Sequence, residues 1–273
     1  MSKPTVKVMS IAGSDSGAGA GIQADIKTIA ALGGYATTVI TAVTAQNTRR
    51  VVSAWELPVS MIKDQIDAVI TDIGTDAVKT GMLSSSAVIE AVAEKLREHK
   101  VGKVVVDPVM VSKGGDRLLQ KEALQALKEK LFPLATLVTP NAEEAGVIVG
   151  RQLASLDDIR AAAEEIVGMG AGACVVTGGI YPGPATDLLY DGKDIKAFSA
   201  VRIASNNTHG TGCTFASAAT VYLARGDSVR ESVAQAKKYV AAAIRASFPL
   251  GTGYGPLSHF HEWWGGTEKA EPQ

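Results

Sequence analysis

The residues able to do polar chemistry fall in a few short stretches: Gly13-Ser14-Asp15-Ser16, Gln46-Asn47, Gly81-Met82, Asp107-Pro108-Val109-Met110, Asn141 with Glu144, and Thr177-Gly178-Gly179. Asp107 and Glu144 suit magnesium, a hard cation that takes one or two carboxylates together with water and phosphate oxygens. Asn141 could anchor one of those waters. Each also has a plainer reading: Glu144 as a first-turn acid that complements the dipole of a helix opening at Asn141, and Asp107, standing before proline, as a turn former.

Two glycine-rich segments, Gly17-Ala18-Gly19-Ala20-Gly21 and Gly210-Thr211-Gly212-Cys213, each precede a helical stretch. Unpaired N–H groups and the helix dipole favour an anion there, although glycine before a helix can equally serve only a tight turn. In the first turn of a helix the Cys213 thiol is expected to be acidified and to act as base or nucleophile; the alternative is a small residue packed beneath the loop. Cys174, mid-strand, reads as core. His209 either reaches the same pocket or caps and packs the loop. His259 and His261, with no third ligand nearby, read as structural.

Positioning these residues requires alternating elements. Val6 to Ala12, Ala36 to Thr44, Ala77 to Thr80, Lys103 to Val106, Thr136 to Thr139 and Ala173 to Val176 read as strands. Ile22 to Leu32, Met61 to Ile73, Ala87 to His99, Lys121 to Leu131 and Leu156 to Val167 carry apolar residues at helical spacing and read as crossover helices. The pattern is α/β, a mostly parallel central sheet with helices on both faces. All the polar stretches then fall at the C-terminal ends of strands, the edge where open α/β sheets bind ligands. Asp187 to Phe198 reads as a hairpin with a two-residue turn at Asp191-Gly192, and Thr211 to Ala224 and Ser228 to Ser247 as two closing helices. Residues 1–264 are expected to form one domain, 265–273 a frayed tail, and Val111 to Arg117, which includes Lys113-Gly114-Gly115, a mobile cover.

Several classes are disfavoured. Gly19, Gly21 and Ala24 match a dinucleotide fingerprint in spacing, but the next strand ends in Thr44-Ala45-Gln46 where a ribose-binding acid belongs. Neither Gly102-Lys103 nor Gly192-Lys193 completes a P-loop. A formal charge of −1 over 273 residues gives no footprint for nucleic acid or an anionic membrane. No apolar run is long enough to span a bilayer, no signal peptide is evident, and the two cysteines show no metal or disulfide spacing. A cytoplasmic location and small-molecule partners are expected.

Taken together the chain resembles the hydroxymethylpyrimidine and phosphomethylpyrimidine kinases of thiamine biosynthesis, in the ribokinase superfamily. The segments that carry the likeness are Ala12 to Ser16, Gly21 to Asp25, Thr44 to Asn47, Lys79 to Leu83, Asp107 to Met110, Val138 to Asn141 with Glu144, Asn207 to Thr214 and His259 to Trp264. The resemblance implies a single ribokinase-like domain, usually a homodimer, and two successive ATP-dependent phosphorylations, of a pyrimidine alcohol and then of its monophosphate. By position it implies an anion hole at Gly210, Thr211, Gly212 and Cys213, with Cys213 as base, and magnesium at Asp107 and Glu144. The ring would meet Gly13, Asp25, Gln46, Met82 and Val109, and the nucleotide Asn141, Thr177, Gly179 and Thr208. An amide such as Gln46 offers a donor and an acceptor side by side, matching an amino group next to a ring nitrogen. Many members of the family have Lys where this chain has Thr177, and a branch of pyridoxal kinases shares the Thr. Pyridoxal phosphorylation is therefore the alternative activity, and a catalytically silent ring-binding protein the alternative of another class.

Overall fold

A computed structural model describes residues 5–111, 114–115, 118–120, 122–179 and 183–264. The expected tail, 265–273, lies outside the described residues, as do four positions of the expected cover over Val111 to Arg117.

One nine-stranded sheet organises the chain, in the order β3-β2-β1-β4-β5-β6-β7-β8-β9. Its strands are β1 (Lys7–Asp15), β2 (Tyr35–Gln46), β3 (Val51–Glu56), β4 (Ala77–Thr80), β5 (Val104–Val106), β6 (Leu137–Val138), β7 (Cys174–Val176), β8 (Ala185–Tyr190) and β9 (Ile195–Ala200). The six central strands from β2 to β7 pair in parallel, while β3, β8 and β9 pair antiparallel at the two edges. The central strands are apolar on both faces because both are covered. Val104, Val106, Val138 and Val176 enter the core on one side, and Val105, Leu137 and Val175 the core on the other.

The helices are α1 (Gly21–Ala31), α2 (Val59–Asp72), α3 (Ser86–Glu98), α4 (Ala123–Ala126), α5 (Ala142–Val149), α6 (Leu156–Gly168), α7 (Thr211–Ala224), α8 (Val229–Arg245) and α9 (His261–Trp264). Buried residues of α2 to α6 join the first core, and those of α7 and α8 the second. α1 packs on α7. Ser85, Asn141, Ser155 and Ser228 cap α3, α5, α6 and α8 by accepting from backbone N–H groups of the first turn, which accounts for where those helices begin.

Four expectations change. β1 runs on to Asp15, its register with β2 slipping between Ala12 and Ser14, so that strand pairing rather than a loop delivers Asp15 to the sheet edge. β3 has no counterpart in the expected strands; Val52, Ser53, Ala54 and Trp55 are all exposed, so it lacks the alternation that betrays a half-buried strand. The helix expected to run to Leu131 is regular only over Ala123–Ala126, then continues as a π turn at Leu127–Leu131 and a 3-10 turn at Phe132–Leu134. The β8–β9 hairpin forms, but Tyr190 pairs with Ile195, leaving a four-residue loop in which only Gly192 has positive φ and Asp191 Oδ1 accepts from the N–H groups of Lys193 and Asp194.

Candidate active site

β1 is the strand from which the chain departs in both directions, to β2 on one side and β4 on the other, and ligands bind at such a reversal. A cavity of about 810 Å³ opens there. Of the residues expected to act, Gly13, Gln46, Met82, Asp107, Val109, Asn141, Glu144, Thr177, Thr208, Gly210, Thr211, Gly212 and Cys213 all line it.

Two expected residues do not. Asp25 is fully buried, accepting from Ser10 Oγ (2.6 Å) and Ser217 Oγ (2.7 Å) and from Lys79 Nζ (3.1 Å to each oxygen), so it can act on the cavity only through its neighbours. Gly179 turns toward β8, where a Cβ would stand 3.0 Å from Thr186 O; Gly178 faces the cavity instead.

The two glycine-rich segments part company. In the first, the N–H groups of Gly17, Gly19 and Ala20 all donate to the Asp15 carboxylate, at 2.8, 3.0 and 2.8 Å. Those donors are consumed, and this segment is no phosphate cradle. Its glycines permit close packing, since a Cβ on Gly19 would stand 2.3 Å from His209 Cδ2, and one on Gly210 would stand 1.9 Å from Gly19 O. The second segment keeps donors free, although its Thr211 N–H turns back to Thr208 O. Gly210, in the left-handed conformation (φ 82°), starts α7 without a side-chain cap. Among the described residues the N–H groups of Gly212 and Cys213 find no acceptor, and they open on the cavity.

Beneath this loop lies a buried ionic cluster. Lys79 Nζ sits 3.6 Å from Asp107 Oδ2, and Asp107 accepts a hydrogen bond from the Cys213 thiol. Burial pushes the Asp107 carboxyl up, with Lys79 opposing and Asp25 adding to the rise. Burial likewise pushes the Cys213 thiol up to about 12, against the opposing pull of Lys79. The acidified thiol expected from its place in the helix is thus overturned: loss of solvent, with two carboxylates nearby, outweighs the helix dipole. Glu144 takes the plainer of its two expected roles, at the start of α5. It closes a capping box with Asn141, accepting from Asn141 N at 2.9 Å, and it faces Asp107. Burial and the Asp107 charge push it up to about 8.

Sequence reasoning gave Lys79 no role of its own, although it opens one of the segments that carry the resemblance and is a charged residue in the buried strand β4. It also missed Lys237 and Asp187, which line the cavity and pair at 2.8 Å. A lysine on an amphipathic helix reads as a solvated face, and Asp187 as part of a hairpin. His209 does reach the pocket, its Nε2 lying 2.9 Å from Asp15 Oδ2.

A parallel sheet whose strand ends present buried carboxylates to a helix N-terminus with free N–H donors is the arrangement of a ribokinase-like phosphotransferase. The chain belongs to the phosphomethylpyrimidine kinase family, whose model matches residues 15–258. It is 49% identical over 252 residues to the hydroxymethylpyrimidine/phosphomethylpyrimidine kinase of Streptomyces coelicolor, covering 92% of this chain and 93% of that one. It is 51% identical to the thiamine biosynthesis bifunctional protein ThiED of Geobacter sulfurreducens, over 94% of this chain but only 52% of that longer protein. Among solved structures, a pyridoxal kinase of Bacillus subtilis bound to ADP superposes with a TM-score of 0.87 at 41% identity, covering 93% of this chain and 97% of the other. Phosphomethylpyrimidine kinase from Clostridium difficile does so at 0.79 and 42% identity, covering 88% and 100%.

Proposed function

We propose that this kinase transfers the γ-phosphoryl group of ATP to the hydroxymethyl oxygen of 4-amino-5-hydroxymethyl-2-methylpyrimidine, and then a second phosphoryl group to the resulting monophosphate, in thiamine biosynthesis. The observation that carries the reading is one cavity with a ring-reading end, Gln46 with Met82 and Gly13, and a phosphoryl end, the free N–H groups of Gly212 and Cys213. Those donors stabilise charge on the oxygens of the transferring group. Gln46 orients the ring. Lys79 balances Asp25 and Asp107 from below.

The residues fit magnesium: Asp107 Oδ2 is buried without a hydrogen-bond partner, and the Asp107 charge raises the proton affinity of Glu144, a conflict that a divalent cation relieves. Magnesium held by these two carboxylates would neutralise charge on the phosphates. ATP as co-substrate is supported by the solved relatives bound to ADP and to AMP-PCP. Two free cysteines and an ATP-dependent reaction suit the cytoplasm. A homodimer is supported by the exposed apolar face of β2 and β3, where Val43 and Trp55 stand opposite one another.

Pyridoxal is the second reading, favoured by Thr177 and by the Staphylococcus aureus pyridoxal kinase complexed with AMP-PCP and pyridoxal, 36% identical. A panel of the pyrimidine alcohol, its monophosphate and pyridoxal, under one ATP and magnesium condition, tests the choice. Higher kcat/KM for both pyrimidines is expected. Pyridoxal outrunning both would reverse it, and tight ring binding without turnover would indicate a silent protein.

A further inference from the structure

The Gln46 amide has a carbonyl end that accepts and an NH₂ end that donates, and its neighbours decide which end is which. As placed, Gln46 Nε2 lies 3.3 Å from His209 Nε2, and Oε1 lies 3.2 Å from Thr44 Oγ1. His209 requires the reverse, and Thr44, whose shorter bond is to Ser14 O, accommodates it. Asp15 accepts from three backbone N–H groups and lies 2.9 Å from His209 Nε2, and these bonds hold its carboxyl below the usual range despite burial. An ionised carboxylate can only accept, so His209 Nε2 carries a hydrogen and donates it to Asp15. A nitrogen used in that way cannot also accept from an amide NH₂. On the other side, Thr44 gives its single hydroxyl hydrogen to Ser14 O at 2.9 Å, which leaves a lone pair for Gln46. The carbonyl therefore faces His209 and the NH₂ faces Thr44.

We infer that Asp15 and His209, together with Thr44, lock the Gln46 amide in one orientation and so make it a directional reader of the substrate ring. The inference rests on the proposed phosphorylation of an aminopyrimidine and specifies how that ring is chosen. Each end of the locked amide keeps one hydrogen-bonding position for the cavity. A ring with an amino group beside a ring nitrogen satisfies both, its amino hydrogen meeting the carbonyl and its ring nitrogen meeting the NH₂. In pyridoxal the ring nitrogen is flanked by a methyl-bearing carbon and a C–H. Its neighbouring hydroxyl and aldehyde are both exocyclic and bond to one another, so it offers no donor beside a ring-nitrogen acceptor and leaves the reader partly unpaired. The lock is rigid because the His209 imidazole lies against Gly19, with no room there for a Cβ. His209 is a positioning residue: it acts through Gln46.

The test combines one spectroscopic and one binding measurement on the intact protein. Nitrogen-15 NMR of the His209 ring should show hydrogen on Nε2 in the neutral form; a neutral ring with hydrogen on Nδ1 alone overturns the inference. In His209→Phe, whose ring is flat enough to lie on Gly19, affinity for the pyrimidine alcohol should fall about tenfold, or ~1.4 kcal/mol, the scale of one net hydrogen bond. Pyridoxal and ATP affinity should stay within about twofold, since neither depends on one more hydrogen bond from the amide. His209→Gln, which can still donate to Asp15, should recover most of the loss. Equal losses for both rings and ATP mean that His209 merely holds the loop, and the inference fails alone. If the wild-type protein binds no pyrimidine, the functional reading fails and the inference with it.

Discussion

Lys79 Nζ lies 3.6 Å from Asp107 Oδ2, and neither side chain reaches solvent appreciably. The same ammonium bonds both oxygens of Asp25. Burial alone would lower the lysine's proton affinity, yet Asp25, Cys213 and Asp107 hold it above its ordinary value. One buried cation thus serves two buried carboxylates.

Lys79→Met should therefore destabilise the protein by roughly 3–5 kcal/mol, the penalty for leaving a buried charge uncompensated. Guanidinium unfolding measures it. Adding Asp25→Asn to the Met variant should restore part of the loss, because one of the two stranded charges is removed. A loss under about 1 kcal/mol, of the size seen for surface pairs, would mean that the cluster is solvated and not the ionic keystone of the loop above it.

The Glu144 carboxyl, pushed up to about 8 from 4.5 by burial and by Asp107, gives a pH signature. Between those values the folded state keeps a proton that the unfolded chain has released, so stability without metal should fall as pH rises from about 4.5 toward 8. Glu144→Gln, which can still accept from Asn141 N, should flatten that part of the slope. Thermal melts across pH check this, and magnesium should restore stability to the wild type at the alkaline end. Asp107→Asn and Glu144→Gln should each raise the magnesium needed for half-maximal activity, with kcat falling more than ring affinity. Unchanged magnesium dependence in both variants would leave these carboxylates with structural roles only.

The buried framework was legible because parallel strands covered on both faces must be nearly all apolar. Val104 to Val106 and Cys174 to Val176 could hardly be anything else. β3 was not legible, for the opposite reason: exposed along most of its length, it owes its existence to pairing with β2. Most of the site could be read from residue types at strand ends. Its electrostatics could not. The glycine-rich segment before α1 looks the same whether its N–H groups hold a phosphate or a neighbouring side chain, and only the fold shows that Asp15 takes them. Cys213 was expected to be acidic on a local argument, the helix terminus, whereas burial among groups distant in sequence governs it.

Trp55 is 73% exposed, and Val43 directly across from it is 46% exposed. An apolar pair so placed on an edge hairpin suits a partner subunit. Trp55→Glu should shift sedimentation from dimer to monomer while leaving the far-ultraviolet circular dichroism unchanged. A wild-type protein that is monomeric at micromolar concentration would refute the proposed homodimer.

Cys213 bears on the order of the two phosphorylations. An alcohol must lose a proton when it is phosphorylated, whereas a monophosphate attacks through an oxygen that is already ionised near neutral pH. A fixed carboxylate at this position would repel the incoming monophosphate, and like charges about 4 Å apart cost on the order of 4 kcal/mol at an effective dielectric near 20. The thiol, pushed up to about 12 and hydrogen-bonded to Asp107, stays neutral through the working pH range and carries no such penalty. A thiol that keeps its proton leaves little thiolate to take up the alcohol's proton, so Cys213→Ala should slow the first step by no more than about 10²-fold, the low end for general base catalysis. The second step should be largely spared. Cys213→Asp should retain the first step and sharply reduce the second. Each step is assayed by supplying the alcohol or the monophosphate with ATP and magnesium. If Cys213→Asp lowers both activities by the same factor, charge repulsion is not what the thiol avoids, and its place is as packing between Asp107 and the Gly210 loop.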